Sequence, residues 1–144
     1  MKQAEYEQFI MQLPRVQREH QHGYVLFFVG DDHLVPFVSI ATKDQDFDNV
    51  SQLNRPGAFR INIGISKATY AALIGDAAGN PVDYTQVNTF LPHPHYAPYN
   101  FICITQPAGD KTARTMELIA EAHAIASEKN VRAQRVKSEL NRGI

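Results

Sequence analysis

The sequence predicts an α+β fold in the order helix, two strands, third strand, short helix, fourth strand and final helix. Apolar side chains recur every three to four residues over residues 1–13 and again over residues 112–130, which is the spacing of one-sided helices. Short β-branched and aromatic runs between them are bounded by Gly, Pro and Asp, as is typical of strands and turns. A length of 144 residues suits a single domain with one core, so we predict one domain over residues 1–144.

Composition and charge exclude several classes of protein. Hydrophobic residues make up 44% of the chain and charged residues 20%, which is typical of a globular protein. The formal net charge is −1, whereas a nucleic-acid-binding domain usually carries a basic excess, so no nucleic-acid partner is expected. The first residues lack a signal-peptide pattern, and no apolar run has the length of a membrane span. A soluble, cytoplasmic protein with no membrane partner is therefore predicted.

Hydrophobic periodicity indicates the first helix and a hairpin. The helical pattern of residues 1–13 ends at Pro14. Residues 17–22 are polar and are predicted to form an exposed connector. The apolar run 24–29 predicts a central strand, and residues 35–42 return as a second strand after a Gly-Asp-Asp turn, which gives an antiparallel hairpin.

Two segments are predicted to be loops. Loop 43–49 carries three alternating carboxylates, Asp44, Asp46 and Asp48, but it lacks the glycine and the distal glutamate of an EF-hand calcium loop. We therefore interpret it as a solvated loop. Residues 76–83, rich in Gly, Ala and Asn, form the second predicted loop.

A third strand is predicted over residues 58–63, where apolar and polar side chains alternate. Its polar face carries Arg60 and Asn62, which lie about 7 Å apart along an extended chain. After this strand, Ser66 is a suitable N-cap and Gly75 a suitable C-terminal residue for a short helix.

The most distinctive stretch is the proline- and histidine-rich segment 89–107, which leads into a fourth strand over residues 101–105. Each proline restricts its own backbone and that of the preceding residue. Because His93 and His95 are two residues apart in an extended backbone, both imidazoles are expected to face the same side. Cys103 lies within the apolar strand and is predicted to be a buried small hydrophobe.

The final helix is predicted over residues 112–130. His123 lies on its apolar face, where we expect a core histidine with a satisfied ring nitrogen rather than a ligand. From about residue 131 the chain is basic, and this tail either continues the helix or frays.

The candidate site combines the polar face of the third strand with the proline-stiffened segment, which is expected to lie over that face. The predicted ligand-binding residues are Arg55, Arg60, Asn62, His93, His95 and Tyr96. Guanidinium, amide and imidazole groups together suit a small anionic or polar ligand. A second interpretation stays open, in which Arg60 pairs with an aspartate of loop 43–49 and the histidines bind backbone carbonyls.

No catalytic residue, cofactor or metal site is assigned. The sequence contains no nucleophile elbow, phosphate loop or dinucleotide fingerprint. The two histidines would need a further ligand, such as Asp31, His33 or Asp83, to hold zinc. A small enzyme that uses His93 and His95 in a metal or acid/base site is kept as an alternative.

Three motifs, RPGAFRINIG (55–64), LPHPHYAPYNFICITQP (91–107) and ELIAEAHAIA (117–126), carry a family resemblance. They resemble a bacterial family known as domain of unknown function family 6194, and the likeness covers residues 24–126. A more distant likeness is to the YjbR/MmcQ-type proteins, whose Ser-Tyr pair is replaced here by Ala122 and His123.

These resemblances imply a fold but no activity. The fold is a two-layer sandwich similar to the YjbR/CyaY proteins, an antiparallel sheet with the N- and C-terminal helices packed on one face. YjbR-like proteins are often labelled as DNA-binding, so weak nucleic-acid binding is a further alternative. Iron binding of the frataxin kind requires an acidic first helix, and this helix carries only Glu5 and Glu7.

The sequence thus predicts a small bacterial binding or interaction module with a polar pocket. Its expected partner is a small anionic or polar molecule. A homodimer is a further expectation, because a small open sheet has edges that need cover.

Overall fold

A computed structural model describes residues 1–75 and 80–142, so the predicted loop 76–83 lies partly outside the described residues. The α-helices of the described chain are α1 (Gln3–Met11), α2 (Lys67–Ile74) and α3 (Asp110–Arg142). The strands are β1 (Val16–Gln21), β2 (Tyr24–Val29), β3 (Val38–Ala41), β4 (Arg60–Gly64), β5 (Leu91–Pro92) and β6 (Phe101–Thr105).

The six strands form one sheet in the order β1-β2-β3-β4-β6-β5, and each neighbouring pair is antiparallel. Both α1 and α3 pack against the same face of this sheet. The predicted fold class, an α+β sandwich of an antiparallel sheet with its terminal helices on one face, is therefore confirmed. No helix in the described ranges is both long enough and apolar enough to cross a bilayer.

The helix-covered face of the sheet is the main hydrophobic core. Successive side chains of a strand point to opposite faces, so β2, β3, β4 and β6 each supply every second residue to this core. The strand residues are Val25, Phe27, Val29, Val38, Ile40, Ile61, Ile63, Ile102 and Ile104, and the terminal helices add Tyr6, Ile10, Leu118, Ile119 and Ala122.

The prediction that residues 17–22 form an exposed connector is wrong, because Val16–Gln21 is strand β1. It pairs with β2 through a two-residue turn in which His22 and Gly23 both have positive φ values of 44° and 85°. Such a turn matches the twist of a hairpin. Because its side chains are polar, this edge strand lacks the hydrophobic alternation that predicts a strand. Its Arg18 forms an ion pair with Glu7 of α1 at 3.2 Å.

The opposite face of the sheet lies under the long connection between β3 and β4, which we call loop 42–59. Leu53 and Ala58 of this loop form a small apolar cluster with Ala41 of β3. On the same face, Arg60 is paired in register with Ala41, and Asn62 with Ser39. The loop therefore buries the polar side of β4 rather than leaving it in water.

The ends of α2 follow the predicted signals. The hydroxyl of Ser66 accepts a hydrogen bond from the backbone N–H of Thr69 at 3.1 Å, and Gly75 takes a positive φ of 61° at the C-terminal end. The N-cap and the glycine end of this helix are thus confirmed.

Helix α3 is longer than predicted, because the basic tail continues it to Arg142. His123 packs its ring edge-on against Phe37 and donates from Nε2 to the carbonyl of Pro14 at 2.8 Å, so its ring nitrogen is satisfied as predicted. The residue is half-buried at the edge of the core rather than inside it. Beyond Asn130, every described residue of the helix is exposed.

Candidate functional site

The proline- and histidine-rich segment folds back on itself at the start of β6. Strand β5 pairs with β6, and the backbone N–H of His93 donates to the carbonyl of Phe101 at 3.0 Å. A short 3-10 helix at Ala97–Tyr99 follows, and Asn100 enters β6 in the left-handed conformation with φ 65°. The chain around the two histidines is therefore a closed, hydrogen-bonded loop.

His93 holds this loop together from the inside. Its Nδ1 accepts hydrogen bonds from the backbone N–H groups of His95 and Tyr96, both at 3.0 Å. An imidazole nitrogen that accepts cannot carry the proton, so His93 is neutral with its hydrogen on Nε2. Burial, reinforced by the charge of the Arg60 guanidinium, lowers the pKa of His93 to about 3.

Below the loop, Arg60 is the centre of a buried polar network. Its side chain has no solvent exposure. Nη1 donates to Asp48 Oδ1 at 2.9 Å and to Ser51 Oγ at 3.0 Å, and Nη2 donates to Asp48 Oδ2 at 2.5 Å. Nε donates to Asn62 Oδ1 at 2.9 Å. This bidentate pairing with a carboxylate satisfies a charge that would otherwise be very costly to bury.

Asn62 and Tyr24 extend the network across the sheet. Asn62 Nδ2 donates to Ser39 Oγ at 3.1 Å, and Tyr24 Oη donates to Asp48 Oδ2 at 2.6 Å. Burial alone would raise the pKa of the Asp48 carboxyl, but the hydrogen bonds from Arg60 and Tyr24 hold it below its ordinary value. Burial and the bond to Asp48 raise the pKa of Tyr24, which stays protonated.

His95 and Tyr96 face outward from the loop. His95 Nε2 donates to the carbonyl of Phe47 at 2.8 Å, which ties the loop to loop 42–59. In the neutral imidazole, Nδ1 is then an acceptor. Tyr96 as a whole residue is 55% exposed. The ring centroid of His93 lies 6.1 Å from that of His95 and 5.0 Å from that of Tyr96, so the three rings form one cluster, which we call the ring cluster.

Phe101 supports this ring cluster from the sheet side. Its ring lies 6.3 Å from that of His93 and 6.2 Å from that of Tyr96. It rests on Gly64 of β4, where an added Cβ would stand 2.7 Å from Cζ of Phe101. Position 64 therefore requires a glycine, because the ring of Phe101 lies too close to its backbone to leave room for a side chain.

The structure brings five of the six predicted residues into one region, with Arg60 and Asn62 buried below His93, His95 and Tyr96. Arg55 is not part of it, since its exposed side chain donates from Nε to the carbonyl of Gln52 at 2.7 Å. The second interpretation matches two of the contacts, because Arg60 pairs with Asp48 and His95 binds a backbone carbonyl. It does not match His93, which accepts from backbone N–H groups instead. The polar pocket itself stays a prediction.

Sequence reasoning allowed an aspartate partner for Arg60 but did not identify which residues of loop 42–59 supply the contacts. Asp48 is buried, so the interpretation of residues 43–49 as solvated is wrong at this position. Ser51 and Tyr24 were not singled out either. An arginine on a strand that is covered on both faces requires a counter-ion, and that requirement was the one available signal for Asp48.

Metal ligands do not converge in the described ranges, where no group of three or more His, Cys, Asp or Glu side chains could hold an ion. His33 instead contacts Glu19 Oε1 at 2.5 Å and Gln17 Oε1 at 2.6 Å. Cys103 is buried as predicted, and burial raises the pKa of its thiol to about 12.

A separate cleft of about 850 Å³ lies beside the N-terminus of α1, at the opposite end of β6 from the ring cluster. Its lining residues are Met1, Lys2, Gln3, Ala4, Glu7, Gly57, Phe59, Val87, Gln106, Pro107 and Ala108. It shares no residue with the predicted site.

Comparison with curated proteins and with solved structures finds no match to this chain. The more distant likeness to the YjbR and CyaY proteins therefore stays a prediction. A family model does match, and it spans residues 1–135, which is nearly the whole chain. On that evidence the protein belongs to the family of unknown function DUF6194.

Proposed function

We propose that the protein is a non-enzymatic binding module that recognises a small polar or anionic molecule at the ring cluster of His93, His95 and Tyr96. A bacterial, cytoplasmic setting belongs to the same proposal and rests on the expectations drawn from the sequence. The observation that carries it is that His93 fixes the loop through two backbone N–H groups and so presents the neighbouring side chains in one orientation.

The hydrogen-bonding groups at the cluster suit a polar ligand. His93 offers an Nε2–H donor, His95 offers its Nδ1 as an acceptor, and Tyr96 offers a hydroxyl that can do either. Because the loop is already ordered by His93 and tied to Phe47, binding would not need to order it first. In this arrangement Arg60 is a positioning residue, whose ion pair with Asp48 anchors loop 42–59 beneath the cluster.

The same geometry favours binding over acid/base catalysis. A general base works best when its pKa is close to the working pH. The pKa of His93 is lowered to about 3, and its Nδ1 is occupied by backbone donors, so it is a poor proton acceptor at neutral pH.

The proposal is tested by titrating the full chain with phosphate, acetate, citrate and AMP while NMR follows the imidazole signals. We expect at least one of these compounds to move the signals of His93 and His95 and leave that of exposed His20 in place. His95→Ala and Tyr96→Phe should each weaken binding by about fivefold or more, which corresponds to one lost hydrogen bond.

His20→Ala is the matched control, since it removes an exposed imidazole from β1 without touching the loop. Affinity in this variant should equal that of the wild type. Equal affinity in all three variants, or no shift at His93 and His95 with any of the four compounds, would remove the proposed site.

A further inference from the structure

The C-terminal part of α3 projects beyond the rest of the fold, and we call residues 131–142 the overhang. The core-facing residues Leu118, Ile119 and Ala122 are buried, whereas every residue of the overhang is exposed. At 1.5 Å per residue the overhang is about 18 Å long. Such a short helical segment gains most of its stability from packing, which the overhang does not receive from its own chain.

The overhang carries a seam in phase with the buried face of α3. Ile119 and Ala126 pack on the core, and positions seven and fourteen residues beyond Ala126 are Ala133 and Leu140. Val136 lies midway between the last two, which gives the 3-4 spacing of a coiled-coil seam. The exposed fractions of Val136 and Leu140 are 55% and 65%. The face that is buried against the sheet thus continues, uncovered, past the sheet.

Charge on either side of the seam selects one orientation of a helix pair. With Ala133 and Leu140 as a positions and Val136 as a d position, Arg132 and Glu139 are both g positions. In an antiparallel pair the g positions of the two helices face each other, so Arg132 would meet Glu139 twice. In a parallel pair Arg132 would meet Lys137, which repels it.

We propose that two copies of this chain form a homodimer in which their overhangs pack antiparallel around a two-fold axis between Gln134 and Arg135. In this register a positions face d positions, so Val136 of each copy packs on Ala133 of the other, and Leu140 packs along the aliphatic stem of Lys129. Arg132, which also contacts Glu128 of its own helix, pairs with Glu139 across the axis. The same patch then serves both copies, which closes the assembly as a dimer.

In the proposed dimer, the loop from Gly30 to Leu34 of one copy forms a second contact, with the overhang of the other copy. Gly30 lies against the side chain of Asn130, at the point where α3 leaves the sheet. This loop continues into Asp31, and its Leu34 is 82% exposed. In the antiparallel pair the C-terminal end of one overhang reaches this loop of the other copy, which brings Arg142 towards Asp31.

The overall charge distribution favours the same partner. Of the 14 Lys and Arg residues and 15 Asp and Glu residues of the chain, four basic and one acidic residue lie in the overhang. The remaining chain therefore has an acidic excess, and a basic overhang is attracted to the body of a second copy. Because the contact is smaller than a standard interface, we expect a dissociation constant on the order of 10 μM.

Sedimentation velocity on the full chain tests the proposal. The wild type should shift from monomer to dimer as its concentration rises through about 10 μM. Arg132→Glu and Glu139→Arg should each weaken the dimer about tenfold, because each places like charges opposite one another. The double variant Arg132→Glu/Glu139→Arg restores the pairing and should dimerise as the wild type does. An equimolar mixture of the two single variants should form a heterodimer.

Arg135→Glu is the matched control, since it makes the same charge change at a c position away from the seam and should weaken the dimer clearly less than Arg132→Glu does. The proposal is overturned if the wild type stays monomeric at about 500 μM, fifty times the expected constant. It is equally overturned if Arg135→Glu weakens the dimer as strongly as Arg132→Glu. Binding of a monomeric chain to phosphatidylglycerol vesicles or to duplex DNA would assign the overhang to a different partner and overturn it too.

Discussion

The helix-covered face of the sheet is packed with branched aliphatic side chains, whereas the face under loop 42–59 is packed around the ion pair of Arg60 and Asp48. Both faces are closed to water at β4: Ile61 on one side and Arg60 on the other have no exposed surface. Two neighbouring residues of β4 are therefore stabilised by different interactions, Ile61 by apolar packing and Arg60 by an ion pair.

On the helix-covered face, stability depends on how much apolar volume is buried, and a smaller side chain costs a graded amount. On the loop-covered face, it depends on each polar atom keeping its partner, because a buried charge without its counter-ion is far more costly than the absence of both. The ion pair of Arg60 and Asp48 therefore fixes the position of loop 42–59 even where it adds little to the free energy of unfolding.

The largest expected effect comes from breaking the ion pair on one side. Asp48→Ala leaves the buried guanidinium of Arg60 without its counter-ion and should lower the free energy of unfolding by about 3–5 kcal/mol. Arg60→Met added to this variant should recover about 2 kcal/mol, because the unpaired charge is removed. Urea denaturation of the variants measures both values.

Ile61→Ala provides the comparison from the other face, where a loss of about 2–5 kcal/mol is expected from the cavity alone. The proposed difference between the faces fails if Asp48→Ala costs less than about 1 kcal/mol, or if Arg60→Met makes it worse.

The next effect is a dependence of stability on pH that belongs to the loop-covered face. The pKa of His93 is about 3 in the folded state, below its ordinary value of 6.5, so the unfolded chain binds a proton that the folded chain excludes. The free energy of unfolding should therefore fall between pH 6.5 and 4.5, by up to about 1.4 kcal/mol per pH unit. Urea midpoints across this range measure the slope.

His93→Asn is the informative variant, since its side-chain oxygen can still accept from the loop backbone but cannot take up a proton. The slope in this variant should be smaller than in the wild type. An unchanged slope would show that His93 does not cause it. Asp48, whose folded pKa is lowered, loses its contribution only below about pH 4, outside this window.

The smallest expected effect concerns the rim of the network. Tyr24→Phe removes a 2.6 Å hydrogen bond to the Asp48 carboxylate and should cost about 1–2 kcal/mol of unfolding free energy. Tyr99→Phe, at a largely exposed residue of the 3-10 helix, should change it by less than about 0.5 kcal/mol. Thermal or urea unfolding of the pair tests this, and equal losses would argue against the hydrogen bond as the cause.

The fold was predictable because its signals are local. Alternation along β4, the N-cap of α2 and the apolar runs of β2 and β6 are each encoded within a few residues. Strand β1 was not predicted, because its side chains are polar. Its pairing with β2 is stabilised by a turn and by the ion pair of Arg18, not by hydrophobic alternation.

The candidate site was only partly predictable. The period of two placed Arg60 and Asn62 on one face. The prediction that His93 and His95 face the same side is wrong, because the chain between them is a turn that directs His93 into the loop and His95 out of it. The counter-ion of Arg60 comes from loop 42–59, and nothing in the local sequence of that loop distinguishes Asp48, which is buried, from Asp46, which is exposed. That distinction depends on how the whole loop lies across the sheet.

Gly64 has a consequence for how function in this family can be mapped. Because Phe101 occupies the space that a side chain at Gly64 would need, a single methyl group there would displace the ring on which His93 and Tyr96 rest. The outline of the proposed ligand-facing surface therefore depends in part on the absence of a side chain at Gly64 of the neighbouring strand. A mutational scan restricted to surface positions would overlook this determinant, and a loss of binding at Gly64 would point to the shape of the surface rather than to a direct contact.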